Sequence, residues 1–265
     1  MEAIEHPPIF HLPGIPDHVT YTWLVMIILA GIAFAASRRL ELVPHGAQNL
    51  MEVVLEQFQG MIDDVMGPQG RPYLPFIATL GLFIFAANLM SLVPGFNGPT
   101  TNLNTTAACA IIVFVAYHAI GLRAHGPVNY IKHFMGPVWW LAPLMLPIEL
   151  ISHLARPLSL TLRLFGNMVG GHILLAVIFF LMGLNGLIGW ALSGSAAGAV
   201  VGGISGLIAI AFTVGFLYPL KLLVSFLQAF IFVMLTMLYI SGAIEHADDE
   251  GHGGHGAEHH DSGHH

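Results

Sequence analysis

The sequence predicts an all-α integral membrane protein, with five membrane-embedded helical regions, the last two very long, and one amphipathic helix along the interface. Three observations predict it. Only 9% of the 265 residues are charged, while 55% are hydrophobic and the mean hydropathy is +0.75; an average soluble protein carries about 25% charged residues. The apolar residues gather in runs of about 20 or more, the length that crosses a bilayer as a helix. Pro-, Gly- and Asn-rich segments separate several of those runs, and such segments end helices.

Residues 1–20 are acidic and carry His and Pro, with no basic stretch ahead of an apolar core. They read as an external N-terminal segment and not as a secretory signal. The first span, residues 21–37, stops at Arg38 and Arg39. In residues 46–66, Leu50, Val53, Val54 and Leu55 mix with Glu52, Glu56, Asp63 and Asp64. That pattern predicts an amphipathic helix lying in the interface. Residues 73–93 and 105–122 form a transmembrane hairpin around the loop PGFNGPTTNLN, and residues 123–136 make a polar connection. Two long hydrophobic regions follow, residues 138–183 and 200–240, joined through a Gly/Ser-rich stretch. More than forty helical residues would extend roughly 60 Å, about twice the hydrocarbon core. Each is therefore either one steeply tilted helix or two short crossings with a hidden turn. Residues 1–240 thus make one membrane domain, and residues 241–265, rich in His and acid, make a disordered tail.

Cations orient the chain. Arg38, Arg39, Arg71, Arg123 and Lys132 all fall on one side of the first three spans, and none of the eight Lys and Arg precedes Tyr21 or lies in residues 94–104 or 183–205. By the positive-inside rule the N-terminus is outside and the tail is cytoplasmic. Eight cations with a formal net charge of −7 do not make a phosphate-binding face, so no nucleic-acid partner is expected. The single cysteine, Cys109, excludes a disulfide framework. The tail histidines are irregularly spaced, and no metal or other cofactor is expected.

Arg163 and Lys221 sit deep in apolar sequence, where a charge costs about +2.5 to +3.5 kcal/mol on insertion scales. At about 100° per residue, Glu149, His153, Arg156, Arg163 and Asn167 fall within a stripe roughly 80° wide. Lys221, Ser225, Gln228 and Tyr239 form a second stripe by the same arithmetic. Hydrogen bonding between helices accounts for Ser225. It does not account for Arg163, whose guanidinium stays charged and brings five donors. Glu149 is the one carboxylate within the spans, fourteen residues or about 21 Å along the same helix. The counter-charge of Arg163 is therefore expected from another subunit, or from an anion or ion passing by.

These residues also resemble a known family, subunit a of the F-type ATP synthase. RPLSLTLRLFGNMVGGH, Arg156 to His172, is similar to the family's signature, with Arg163 at its essential arginine. LQAFIF, Leu227 to Phe232, is similar to a second signature, with Gln228 at the family's glutamine; NLMSLVPG and PTTNLNTT are weaker matches. The resemblance implies a non-catalytic channel subunit of the bacterial inner membrane, with its two long helices tilted against a ring of c subunits. It further implies b-type peripheral stalk subunits and, through the stalk, a soluble head that makes ATP. Ions, most simply protons, would cross by two offset half-channels. Asn102, Asn104, Asn167, His172, Lys221 and Gln228 are candidates for the outer one, carried over from the matching motifs. Glu149 and His153, with Arg156 nearby, suit the inner one. His172 falls about 140° from the polar stripe, so it reads equally as a packing residue. Lys221 departs from the family, which places Glu or His there; it is either a relay or a fixed charge shaping the field.

Two rival readings remain at this stage. A secondary transporter would use the intramembrane Arg to bind an anionic substrate, but such proteins commonly show repeated halves, and no duplicated motif is visible here. A membrane metalloprotease would need HExxH, which the sequence lacks.

Overall fold

The computed structural model describes residues 16–38, 44–93, 96, 98–135, 142–181, 200, 203–204, 207–208 and 210–252. The expectations for residues 1–15, for the Gly/Ser-rich join and for the tail beyond residue 252 lie outside the described residues, as do the side chains of Glu149 and His172. Among the described residues all regular structure is helical.

Helix α1, Asp17–Ser37, follows Pro16, whose extended backbone (φ −60°, ψ 138°) brings the chain to the first turn. Asp17 there lies at the positive end of the helix dipole. Tyr21 and Val25 are buried, whereas Trp23, Ile27 and Phe34 are exposed, an apolar surface suited to lipid. Helix α2, Ala47–Met66, is the amphipathic element expected at 46–66 and ends at Gly67, whose N–H donates to the Asp63 carbonyl at 3.2 Å. A 3-10 turn, Pro68–Tyr73, folds back on α2. A Cβ on Gly70 would lie 2.6 Å from Met66 Cβ and 2.7 Å from Ile62 Cγ2, so that fold-back requires glycine. Arg71 closes it by donating to both carboxylate oxygens of Asp63, at 2.9 and 3.1 Å. Its hydrogen bonds hold the Asp63 carboxyl below its usual range.

Helix α3, Leu74–Met90, and helix α4, Leu103–Met135, flank a short 3-10 turn, Pro99–Thr101. The expected connection at 123–136 is helical as far as Met135, with one break at Gly126 (φ 75°, ψ 160°). Arg, His, Asn and Lys mark departure from lipid but are compatible with a helix, and Pro127 disfavours α conformation at the residue before it. Helix α5, Ala142–Leu181, runs for 40 residues without a turn. Of the two possibilities for this region, the hidden turn is thereby excluded within α5, although Pro147 and Pro157 each remove a backbone donor. Helix α6, Tyr218–His252, is entered through a π turn, Thr213–Leu217, and continues past Ile240 into the stretch expected to be tail. That continuation holds good helix formers, Ala243, Glu245, Ala247 and Glu250, and no proline.

By length and composition, four helical stretches among the described residues suit a bilayer crossing: Asp17–Ser37, Pro68–Met90, Leu103–Ala124 and Ile210–Ile244. The chain forms two compact units, Met1–Leu40 with Gly81–Thr106 and Thr161–Ile231, and Glu41–Leu80 with Ala107–Leu160 and Phe232–His265. In lipid the apolar drive between helices is small, so close packing and hydrogen bonds carry the association. In the first unit Tyr21 meets Phe96 edge-on at 5.8 Å, Phe85 meets Phe226 at 6.2 Å, and Leu164, Met168 and Leu217 are buried. In the second, Ile62, Ile77, Val113, Leu160, Phe232 and Met237 are buried.

Candidate functional site

In the first unit the functional residues follow from which face of α5 is buried. Leu164 and Met168, one helical turn apart, are buried, and this turns Arg163 outward, where it is exposed. Among the described residues Arg163 has no acid, hydrogen-bond acceptor or ring against it. One turn on, Asn167 donates through Nδ2 to Oε1 of Gln228 at 2.6 Å, joining the two expected polar stripes. Gln228 is 1% exposed, and its Nε2 has no acceptor among the described residues.

Beside that pair lies a cavity of about 230 Å³, lined in part by Asn167, Lys221, Ser91, Ser225, Gly170 and Gly171. That is room enough for water. Glycines form much of the α5 wall: a Cβ on Gly170 would meet nothing within 4 Å, and one on Gly171 would meet only Lys221 Cε at 3.5 Å. Lys221 itself is half-buried and makes no ion pair among the described residues. These polar groups share the wall with Met168, Leu174, Leu217, Leu220 and Val224, so the cavity is mostly apolar with a few polar groups set into it.

Asn88 was not singled out as a site residue, although it lies within a motif quoted for the resemblance. It is fully buried, accepts from Thr100 Oγ1 at 2.9 Å and donates to the Ser225 carbonyl at 3.4 Å. The signal was available, as an amide in an otherwise apolar run. Asn102 accepts from the Asn104 backbone N–H through Oδ1 at 2.9 Å, which caps the start of α4, and its Nδ2 lies 3.3 Å from His18 Nδ1. Asn104 is exposed. The structure thus brings Asn167 and Gln228 together, sets Lys221 on the cavity wall beside Asn167, and engages Asn102 at a helix cap.

In the second unit α5 carries His153, and the surroundings of this residue were not foreseen. Its Nδ1 is 3.0 Å from the Tyr117 hydroxyl, and the two rings stack at 5.9 Å. His118 lies 5.3 Å from the His153 ring, edge to face. Arg156 sets its guanidinium 5.9 Å from the centre of the Tyr117 ring and 5.1 Å from that of Tyr239. Such cation–π contacts contribute about 0.5–2 kcal/mol, depending on how far water is excluded. Tyr117 and His118 occur inside an apolar span, where aromatic residues read as packing.

Comparison with known proteins identifies the family. The family model described as ATP synthase A chain matches residues 19–241. The chain is 50% identical over 234 residues to ATP synthase subunit a 2 of Syntrophotalea carbinolica, covering 88% of each chain. It is 49% identical over 236 residues to ATP synthase subunit a 1 of Pelobacter propionicus, covering 87% of this chain and 89% of that one. It is 46% identical over 236 residues to ATP synthase subunit a of Geobacter sulfurreducens, with the same coverage. A match over nearly the whole membrane domain, the arginine on α5 and the amide pair beside it included, places this chain in the ATP synthase A chain family.

Proposed function

We propose that the chain is the stationary half of a proton path in a bacterial inner membrane, N-terminus outside and C-terminus cytoplasmic. Its α5 and α6 lie tilted against a ring of c subunits, and the proton flow drives ring rotation and ATP synthesis in a soluble head held by b-type stalk subunits. The chain performs no chemistry on ATP itself. One observation carries the reading: Arg163 is an exposed guanidinium on a membrane helix with no partner among the described residues. A ring carboxylate arriving at about 4 Å would gain roughly 4 kcal/mol at an effective dielectric near 20. That corresponds to about a thousandfold change in its proton affinity, at 1.36 kcal/mol per tenfold. The acid releases its proton there. A permanent cation between two half-channels also bars a proton from leaking straight across, so passage requires the ring to turn.

In this reading the cavity beside Lys221, with Asn167 and Gln228, belongs to the outer half-channel, together with His172, Asn102 and Asn104. Glu149 and His153 line the inner one, with Arg156 alongside. Lys221 serves there as a relay or as a fixed charge shaping the field. Arg163→Ala tests the reading: vesicles with the assembled complex are expected to lose ATP synthesis driven by an imposed proton gradient. Synthesis at the wild-type rate would overturn it.

A further inference from the structure

We propose that Tyr117 and His118 of α4 are working members of the inner proton path, acting with His153. The inference rests on the reading above and adds two residues that neither the polar stripes nor the motifs identify.

The hydrogen bonds set the chemistry. His118 Nδ1 lies 2.9 Å from the Phe114 carbonyl. A carbonyl only accepts, so Nδ1 carries the proton, and in neutral His118 the lone pair is on Nε2. His118 is half-buried and can take a proton from water at Nε2 while Nδ1–H stays on Phe114. Tyr117 is 2% exposed, and its hydroxyl meets His153 Nδ1 at 3.0 Å. A hydroxyl both donates and accepts. When Nδ1 of His153 is bare the hydroxyl donates to it; when Nδ1 gains a proton the hydroxyl rotates and accepts. The pair therefore keeps its hydrogen bond in either protonation state, which a relay needs and a packing contact does not.

Water reaches this cluster. Arg156 brings five donors and lies on the two tyrosine rings, yet among the described residues it has no hydrogen-bond acceptor or acid. Arg156 and His118 are both only half-buried, so water has access to the cluster. Among the described residues the titratable and charged groups around His118 and His153 include Tyr117 on α4, Arg156 on α5 and Tyr239 on α6. A proton taken at His118 Nε2 leaves from the same nitrogen through water to His153, whose ring centre is 5.3 Å away, and each histidine returns to neutral when it hands its proton on.

The test uses the complete ATP synthase in inverted vesicles. ATP-driven proton pumping is measured per assembled complex, quantified by the co-purifying c-ring, from pH 5.5 to 9 for wild type, His118→Gln and Tyr117→Phe. Tyr117→Phe retains the ring, so its stacking on His153 and Arg156 survives and the hydroxyl alone is removed. Both variants are expected to pump about tenfold or more slowly, the low end for loss of a proton-transferring group, and His118→Gln is expected to move the pH profile. Rates within about twofold of wild type overturn the proposal, and so does a slowed His118→Gln with an unmoved pH profile, which would mark a structural role. Arg163→Ala run in parallel separates the two ideas. If that variant pumps normally, the function proposed above fails; if it is inactive while the α4 variants pump normally, only the present inference fails.

Discussion

Replacing Gln228 by Leu nearly preserves the side chain's volume and removes its amide, so the substitution weighs one hydrogen bond against one buried orphan. The bond lost is that from Asn167 Nδ2 at 2.6 Å. Side-chain hydrogen bonds between membrane helices average about 0.6 kcal/mol and reach about 1.7. Asn167 is itself exposed, so water can take the place of the missing acceptor. The group relieved is Nε2, buried with no acceptor among the described residues, and an unsatisfied buried donor costs about 1–3 kcal/mol. The balance favours Leu by roughly 0–2 kcal/mol. At about 2–4 °C per kcal/mol for a chain of this size, thermal unfolding of the subunit in the detergent-solubilised complex is expected to be unchanged or shifted upward by a few degrees. ATP synthesis per complex is expected to fall at least about tenfold, because the amide is retained for transport and not for stability. A fall in unfolding temperature of more than about 4 °C would refute the energetic argument and make Gln228 a strut. Unaltered synthesis would refute its place in the proton path.

Two further outcomes follow from the glycines and from the Asp63–Arg71 ion pair. Gly171→Ala is expected to leave proton transport near wild type, since the new methyl group meets Lys221 Cε at an ordinary 3.5 Å, whereas Gly171→Leu fills the cavity and is expected to stop it; equal rates in stopped-flow pumping would exclude the cavity from the path. Because Arg71 depresses the Asp63 carboxyl below 3.8, the stability this pair supplies is present above the unfolded value near pH 3.8 and is lost as the pH falls through the lower folded value. Asp63→Asn is accordingly expected to speed amide exchange at Gly70 at pH 7 and to match wild type once the pH lies well below the lowered folded value; equal protection at pH 7 would show that the pair leaves the 3-10 turn unsupported.

Much of this was legible because charge is so scarce. With few cations in the chain, Arg163 and Lys221 stand out against apolar sequence, and helical arithmetic alone puts Asn167 on the face of one and Gln228 on the face of the other. The pairing of Asn167 with Gln228 was not legible, since periodicity describes a face within one helix and leaves its opposite number open. The same gap hid Tyr117 and His118, whose meaning depends on His153 arriving from another helix. Asn102 shows the converse: its amide read as channel lining, while local geometry engages it at the start of α4, a competition between capping and function that residue type does not resolve. The helical connection through Met135 was missed because polarity was read as a loop, when it marked only the exit from lipid.

The guanidinium on α5, unpaired among the described residues, has a consequence for biogenesis. A copy of this chain that reached the membrane before its companions would carry an insertion penalty of about +2.5 to +3.5 kcal/mol at that residue alone, a sizeable fraction of the 5–15 kcal/mol that separates native from unfolded chains. Binding a neighbour that supplies the counter-charge removes the penalty by mass action. Under the proposed function, order of assembly then acts as a safeguard: orphaned copies are the ones surveillance proteases would clear, and stationary halves of the path do not accumulate ahead of the rotor that completes them.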